Sequence, residues 1–212
     1  MKKQNLLNLD DFFFSVKRIP YVIVKLDTHF PHYVQAEDID IFCYSKSQFV
    51  QKILAVGNTY LNEKTEIKVT DINEEQSHID FLFENTLDFR FDVYQKLPLF
   101  HKIKIKDQYI YSVIENAVSI KHYFNGKPYH LYVPSEIDEL IIRYIEYVEY
   151  YEQRPDKIKH LDYIKKTIKS NPERINFFDK LHLYTDLPDS FPKPNLIQKI
   201  AQSVLKKFEK LI

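Results

Sequence analysis

Asp38 and Asp40 stand two residues apart in Glu37-Asp38-Ile39-Asp40-Ile41-Phe42-Cys43. The apolar residues between and after them predict a strand. Strand side chains alternate faces, so Asp38 and Asp40 project one way and Ile39, Ile41 and Cys43 the other. Two anions held side by side repel unless a cation lies between them. A hard divalent ion such as Mg²⁺ takes oxygen ligands, commonly one or two carboxylates plus substrate phosphates. The pair therefore points to metal-assisted phosphoryl or nucleotidyl transfer at a strand end. Two solvated aspartates on an exposed strand face are the plain alternative.

Further groups are spaced to join them. In the predicted strand Asp88–Tyr94, Asp92 shares a face with Arg90. Arg90 can meet a phosphate, or pair with Asp92 or Asp80. His78 and Asp80 alternate on the preceding strand and suit a metal or proton relay, or simply a cross-strand hydrogen bond. Lys17 and Arg18 precede the first strand and are either phosphate contacts or solvated. His29 and His32 flank Phe30-Pro31 in the loop before the acids. The remaining histidines show no ligand spacing, and no His-Glu-x-x-His pattern occurs. Tyr144, Tyr147, Tyr150 and Tyr151 recur at helical spacing beside Ile141, Ile145 and Val148. They are expected to pack a core rather than to stack on a base.

Composition narrows the classes. The chain has 212 residues, 44% of them hydrophobic, which is enough for a packed core. Lys+Arg and Asp+Glu are both 30, and this neutrality argues against a generic nucleic-acid binder. The single cysteine, Cys43, excludes an intramolecular disulfide framework and any multi-cysteine zinc site. Its place opposite the acids predicts a buried core thiol. Asp10 and Asp11 interrupt any signal-peptide core, and no apolar run has the length of a membrane span. A cytoplasmic protein without membrane contact is expected. With only Gly57 and Gly126 as glycines, neither a P-loop nor a dinucleotide fingerprint can be present.

The elements that must position these groups follow from periodicity. Residues 5–16 predict an amphipathic helix, Tyr21–Leu26 a first strand, 27–36 a loop and 38–43 the acidic strand. Ser45 starts a helix running to about Leu54, and Gly57 ends it. Glu66–Thr70, His78–Phe83 and Asp88–Tyr94 predict three strands, with a hairpin turn at 84–87. Tyr111–Tyr123 predicts a helix before a turn at Gly126, and Tyr129–Pro134 a short extended piece. Lys102–Lys106 alternates like a protected edge strand. Ser135 starts a long helix through Tyr151, and further helices are expected at 155–170, 172–184 and 195–212. The expected class is α+β, with an α/β domain over 1–110 and a helical region over 111–212.

In order and spacing, Tyr21-Val22-Ile23-Val24-Lys25, Asp38-Ile39-Asp40-Ile41, His78-Ile79-Asp80-Phe81, Phe91-Asp92-Val93 and Tyr132-Val133-Pro134-Ser135-Glu136-Ile137-Asp138 resemble the nucleotidyltransferase fold of the polymerase-β superfamily. They are most similar to its divergent members from bacterial surface-polysaccharide gene clusters. The resemblance covers roughly residues 18–150. It implies Mg²⁺- or Mn²⁺-dependent transfer of a nucleotidyl group from an NTP to a small acceptor, such as a sugar or polyol phosphate. In that chemistry two metals about 3.5–4 Å apart clamp the attacking and leaving oxygens. Carried over, Asp38 and Asp40 hold metal and Asp92 completes the site and draws the acceptor proton, with Asp80 the alternative third carboxylate. Lys25, at the end of the first strand, would contact phosphate or stand as a solvated strand-end lysine, and Arg90 is a further candidate for phosphate. The Gly-Ser usual before the acidic pair is absent. That leaves two further readings: a catalytically inactive binding module, and a toxin-type nucleotidyltransferase acting on a macromolecule.

Overall fold

A computed structural model describes residues 6–170, 175–188 and 191. The chain divides into two units, Met1–Pro98 with Asp107–Ser135, and Leu99–Lys106 with Glu136–Ile212. A five-stranded mixed sheet and six α-helices among the described residues make the class α+β.

The first unit opens with helix α1 (Leu9–Val16). Asn8 caps it, its side-chain oxygen accepting from the Asp11 N–H at 3.2 Å. That cap sets the start at Leu9 rather than at residue 5, which lies outside the described residues. Leu9, Phe12, Phe13 and Val16 fall on one face and are all buried. Strand β1 (Tyr21–Ile23) is shorter than expected. The Val24 N–H still donates to the Asp40 carbonyl at 2.9 Å. The chain then leaves the sheet, because the Asp27 carboxylate captures the His29 N–H at 2.6 Å in a side-chain-closed turn.

The acidic strand is β2 (Glu37–Cys43), followed by helix α2 (Lys46–Gly57), capped by Ser45. Gly57 is the last residue of α2, as expected, but it is helical, with φ −58°, rather than a left-handed cap. Its requirement is space: a Cβ there would lie 2.7 Å from Phe81 Cζ and 2.8 Å from Ile67 Cδ1. Strands β3 (Thr65–Asn73), β4 (Gln76–Phe83) and β5 (Thr86–Tyr94) form two successive hairpins. Glu84 and Asn85, at φ 48° and 62°, make a two-residue turn between β4 and β5. The sheet order is β1-β2-β5-β4-β3, with β2 and β5 parallel and the other neighbours antiparallel.

One sheet face is the core. Ile39, Ile41, Ile79, Phe81, Phe89, Phe91 and Val93 are buried there with Cys43. The Phe12 ring stacks on Phe91 with centroids 4.5 Å apart. Burial pushes the Cys43 thiol up to about 12, as fits a core residue and not a nucleophile.

Residues 111–123 do not form one helix. Helix α3 spans Gln108–Glu115, then β6 (Val118–Phe124) and β7 (Lys127–Val133) pair as a separate hairpin. Its turn is Asn125-Gly126, both at positive φ (49° and 74°), the favoured two-residue hairpin chemistry. Phe124 and Tyr129 pack on Phe14, at 5.6 and 6.0 Å between centroids. The hairpin thus belongs to the first unit, whose second segment is Asp107–Ser135.

The second unit contains α4 (Glu136–Tyr150), α5 (Ile158–Ser170) and α6 (Ile175–Tyr184). Tyr144, Tyr147 and Tyr151 are buried, so the tyrosine stripe is core, with Tyr150 at its exposed margin. Lys102–Lys106 is not an edge strand. The buried Glu149 carboxylate accepts the N–H groups of His101 and Lys102 at 2.8 and 3.0 Å. Among the described residues an isolated bridge, Ile105 to Thr185, is the pairing this segment makes. The helix expected at 195–212 lies outside the described residues.

Gly57→Ala is expected to destabilise the protein by about 1–3 kcal/mol in urea unfolding, because the added methyl must displace the buried Phe81 ring. At an uncrowded helical position the same change would stabilise by up to about 1 kcal/mol, so the sign of the shift is the test.

Candidate functional site

Opposite the core, register aligns the polar side chains into rows. Asp40 pairs with Asp92, Asp92 with His78 and His78 with Thr70. One step along β2, Asp38 pairs with Arg90, Arg90 with Asp80 and Asp80 with Lys68. Period-two alternation puts both rows on one face. A third row, Val22, Phe42 and Tyr94, is apolar, with Val22 and Phe42 fully buried. Helix α3 packs against β1 and β2. The acids lie at the other end of β2, where Asp38 is exposed.

The rows differ in charge. In the Asp38 row the signs alternate across the strands and cancel. Arg90 holds Asp80 through both ends of its guanidinium, at 2.6 and 3.1 Å. The Asp40 row sets two carboxylates face to face. Asp92 is only 8% exposed, and its Oδ1 has no hydrogen-bond partner among the described residues. The nearest positive or basic groups are His78 Nε2 at 3.6 Å and Arg90 Nε at 3.9 Å, both beyond hydrogen-bonding reach.

Burial pushes the Asp92 carboxyl up to about 7, and repulsion from Asp40 and then Asp38 adds to it against the pull of Arg90. His78 is held below its ordinary value, first by burial and then by the Arg90 charge. Arg90 is raised, chiefly by its hydrogen bond to Asp80.

Asp38, Asp40, Asp92 and Arg90 are thus brought to one face. Asp80 is there too, but its oxygens are taken by Arg90, which favours Asp92 as the third carboxylate. Lys25 follows β1 in the bend just past Ile23. His29 is turned to Asp27 at 2.6 Å. Lys17 and Arg18 line a pocket of about 270 Å³ with Ile19, Pro20, Tyr21, Ile114 and Tyr132. That pocket adjoins Tyr21, the partner of Cys43, at the far end of β2 from the acids. Lys68 and Thr70 join the polar face because β3 and β4 are in register. The alternation of residues 65–73 carried that signal, but the pairing is a tertiary fact.

The residues were tested for fit to a divalent ion. Among the described residues, no three His, Cys, Asp or Glu side chains already converge as a ligand cage. What does fit is the donor chemistry: a buried carboxylate oxygen without a hydrogen bond, directly across from a second carboxylate. Hard oxygen donors of this kind suit Mg²⁺ or Mn²⁺.

Comparison with protein-family models, with curated proteins and with solved structures finds no match. No described helix is long and apolar enough to cross a membrane.

The raised Asp92 value fixes the sign of a pH effect. A carboxyl raised in the folded state binds its proton more tightly there than in the unfolded chain. Its contribution is fully present below the ordinary value of 3.8 and is lost as pH rises through about 7. In EDTA, Asp92→Asn should therefore be more stable than the wild type at pH 8, on the order of 2 kcal/mol. The gap should close towards pH 4. Urea melts at both pH values check it, and a variant less stable at pH 8 contradicts the account.

Proposed function

We propose that the protein is a divalent-metal-dependent nucleotidyltransferase, moving a nucleotidyl group from an NTP to a small acceptor such as a sugar or polyol phosphate. The observation that carries the reading is the alignment of Asp40 with Asp92, from adjacent parallel strands, with Asp38 one step along the same face.

Asp38, Asp40 and Asp92 would hold the ion. When bound, Mg²⁺ supplies positive charge to the triphosphate and lowers the cost of ionising the attacking hydroxyl. Asp92, facing Asp40 across the two strands, accepts the proton of that hydroxyl. The acceptor oxygen bonds to the α-phosphorus, the bond to the bridging oxygen breaks, and pyrophosphate leaves. Arg90, fixed by Asp80, presents a rigid cation to the phosphates. The resemblance set out above supplies the substrate class.

A specific feature favours a second reading. The Gly-Ser before the acidic pair is missing, and Arg90 already neutralises part of the cluster. An inactive module that binds nucleotide without turnover has both properties.

With Mg²⁺ present, one of the four NTPs should raise the Tm of the wild type. A ligand at about 100 Kd adds roughly 2.7 kcal/mol. Asp40→Asn should lose that shift, keep its own Tm or gain a little from relieved repulsion, and turn over at least about 100-fold more slowly. A shift without turnover, whatever acceptor is offered, favours the inactive module. Full activity in Asp40→Asn overturns the transferase reading.

A further inference from the structure

We infer that the His78 ring nitrogen Nε2 is a direct ligand of the divalent ion at the Asp40–Asp92 pair, so that the site is a mixed nitrogen–oxygen one which favours Mn²⁺ over Mg²⁺. This rests on the cation site proposed above and adds a residue and a metal preference to it.

Three observations carry the assignment. First, His78 is the register partner of Asp92 on the side away from Asp40, so Asp92 is flanked by a carboxylate on one side and an imidazole on the other. Second, Asp92 Oδ1 is buried without a hydrogen bond, and His78 Nε2 is the basic atom nearest to it, at 3.6 Å. That separation is too long for a hydrogen bond. It is the spacing of two atoms sharing one ion: donors about 2.1 Å from a metal and 3.6 Å apart subtend about 120° there. Third, Nε2 meets the Gln76 side-chain nitrogen at 3.2 Å. An amide nitrogen can only donate, so Nε2 presents a lone pair, the form that binds a metal. The Gln76 amide is replaced at that lone pair when the ion enters.

The charged groups facing the position are consistent with it. Asp40 and Asp38 supply the negative field. Asp80 is occupied by Arg90, and Arg90 Nε lies 3.9 Å from the same Asp92 oxygen without bonding to it. An imidazole donor is a poor partner for Mg²⁺, which keeps to oxygen, and a good one for first-row transition ions.

The test uses the whole protein and Mn²⁺ alone. Electron spin-echo spectroscopy of bound Mn²⁺ should show ¹⁴N modulation from a coordinated imidazole. The modulation should change when the histidines carry ¹⁵N and vanish in His78→Gln. Mn²⁺ affinity in that variant should fall by about tenfold or more, with the Mg²⁺ affinity little altered. Mn²⁺ bound without nitrogen modulation would overturn the His78 assignment and leave the carboxylate site standing. No Mn²⁺ binding would overturn both, and so would persistence of the modulation in His78→Gln together with unchanged affinity in Asp40→Asn.

Discussion

The confrontation of Asp40 with Asp92 across two parallel strands is the constraint on which the rest of the site depends. Two carboxylates on flexible loops would swing apart into water. Here they cannot, because every alternate residue of the same strands is locked on the opposite face. Ile39 pairs with Phe91 and Ile41 with Val93, all buried, and the Phe12 ring of α1 lies against Phe91. A slip of one residue would turn the whole apolar set outward. The hydrophobic core therefore holds the pair in place, and burial, with the repulsion adding to it, raises the Asp92 carboxyl.

Charge around the pair is arranged with a gap rather than at random. Arg90 could have neutralised Asp92, yet its guanidinium faces Asp80 in a two-point contact. In the Asp38 row the signs alternate, whereas Asp92 is buried with an oxygen that accepts no hydrogen bond among the described residues. Unbalanced buried charge costs stability, and strain of this kind is characteristic of functional positions. The β3–β4 hairpin contributes through this pattern, although it carries none of the three carboxylates. It delivers Asp80 to hold Arg90 and His78 to flank Asp92.

Residues 37–43 show their strand and their acidic face by period alone, and the structure places them so. Asp92 and its shared face with Arg90 are equally legible, because alternation needs no tertiary information. The pairing of Arg90 with Asp80 rather than with Asp92 is not, since it is set by the register of β4 against β5. Strand β1 stops at Ile23 and Asp27 closes a turn on His29 just beyond it, a local competition that a run of β-branched residues conceals. Gly57 reads as a helix end, but only the tertiary approach of Phe81 explains it. The hairpin at 118–133 was there to be read in Asn125-Gly126 flanked by alternating residues. Helical spacing within 111–123 competes with that signal. Lys102–Lys106 shows the same override: Glu149 takes the backbone donors that a sheet partner would otherwise need.

The most direct test of the central claim, that Asp40 and Asp92 jointly hold a divalent ion, is an anomalous-scattering map from crystals grown with Mn²⁺ and a non-hydrolysable NTP analogue. The account predicts a peak about 2.1 Å from oxygens of both Asp40 and Asp92, with the triphosphate extending from it over the Asp38–Arg90 row. Clear nucleotide density elsewhere, with no anomalous peak between these carboxylates, would contradict it.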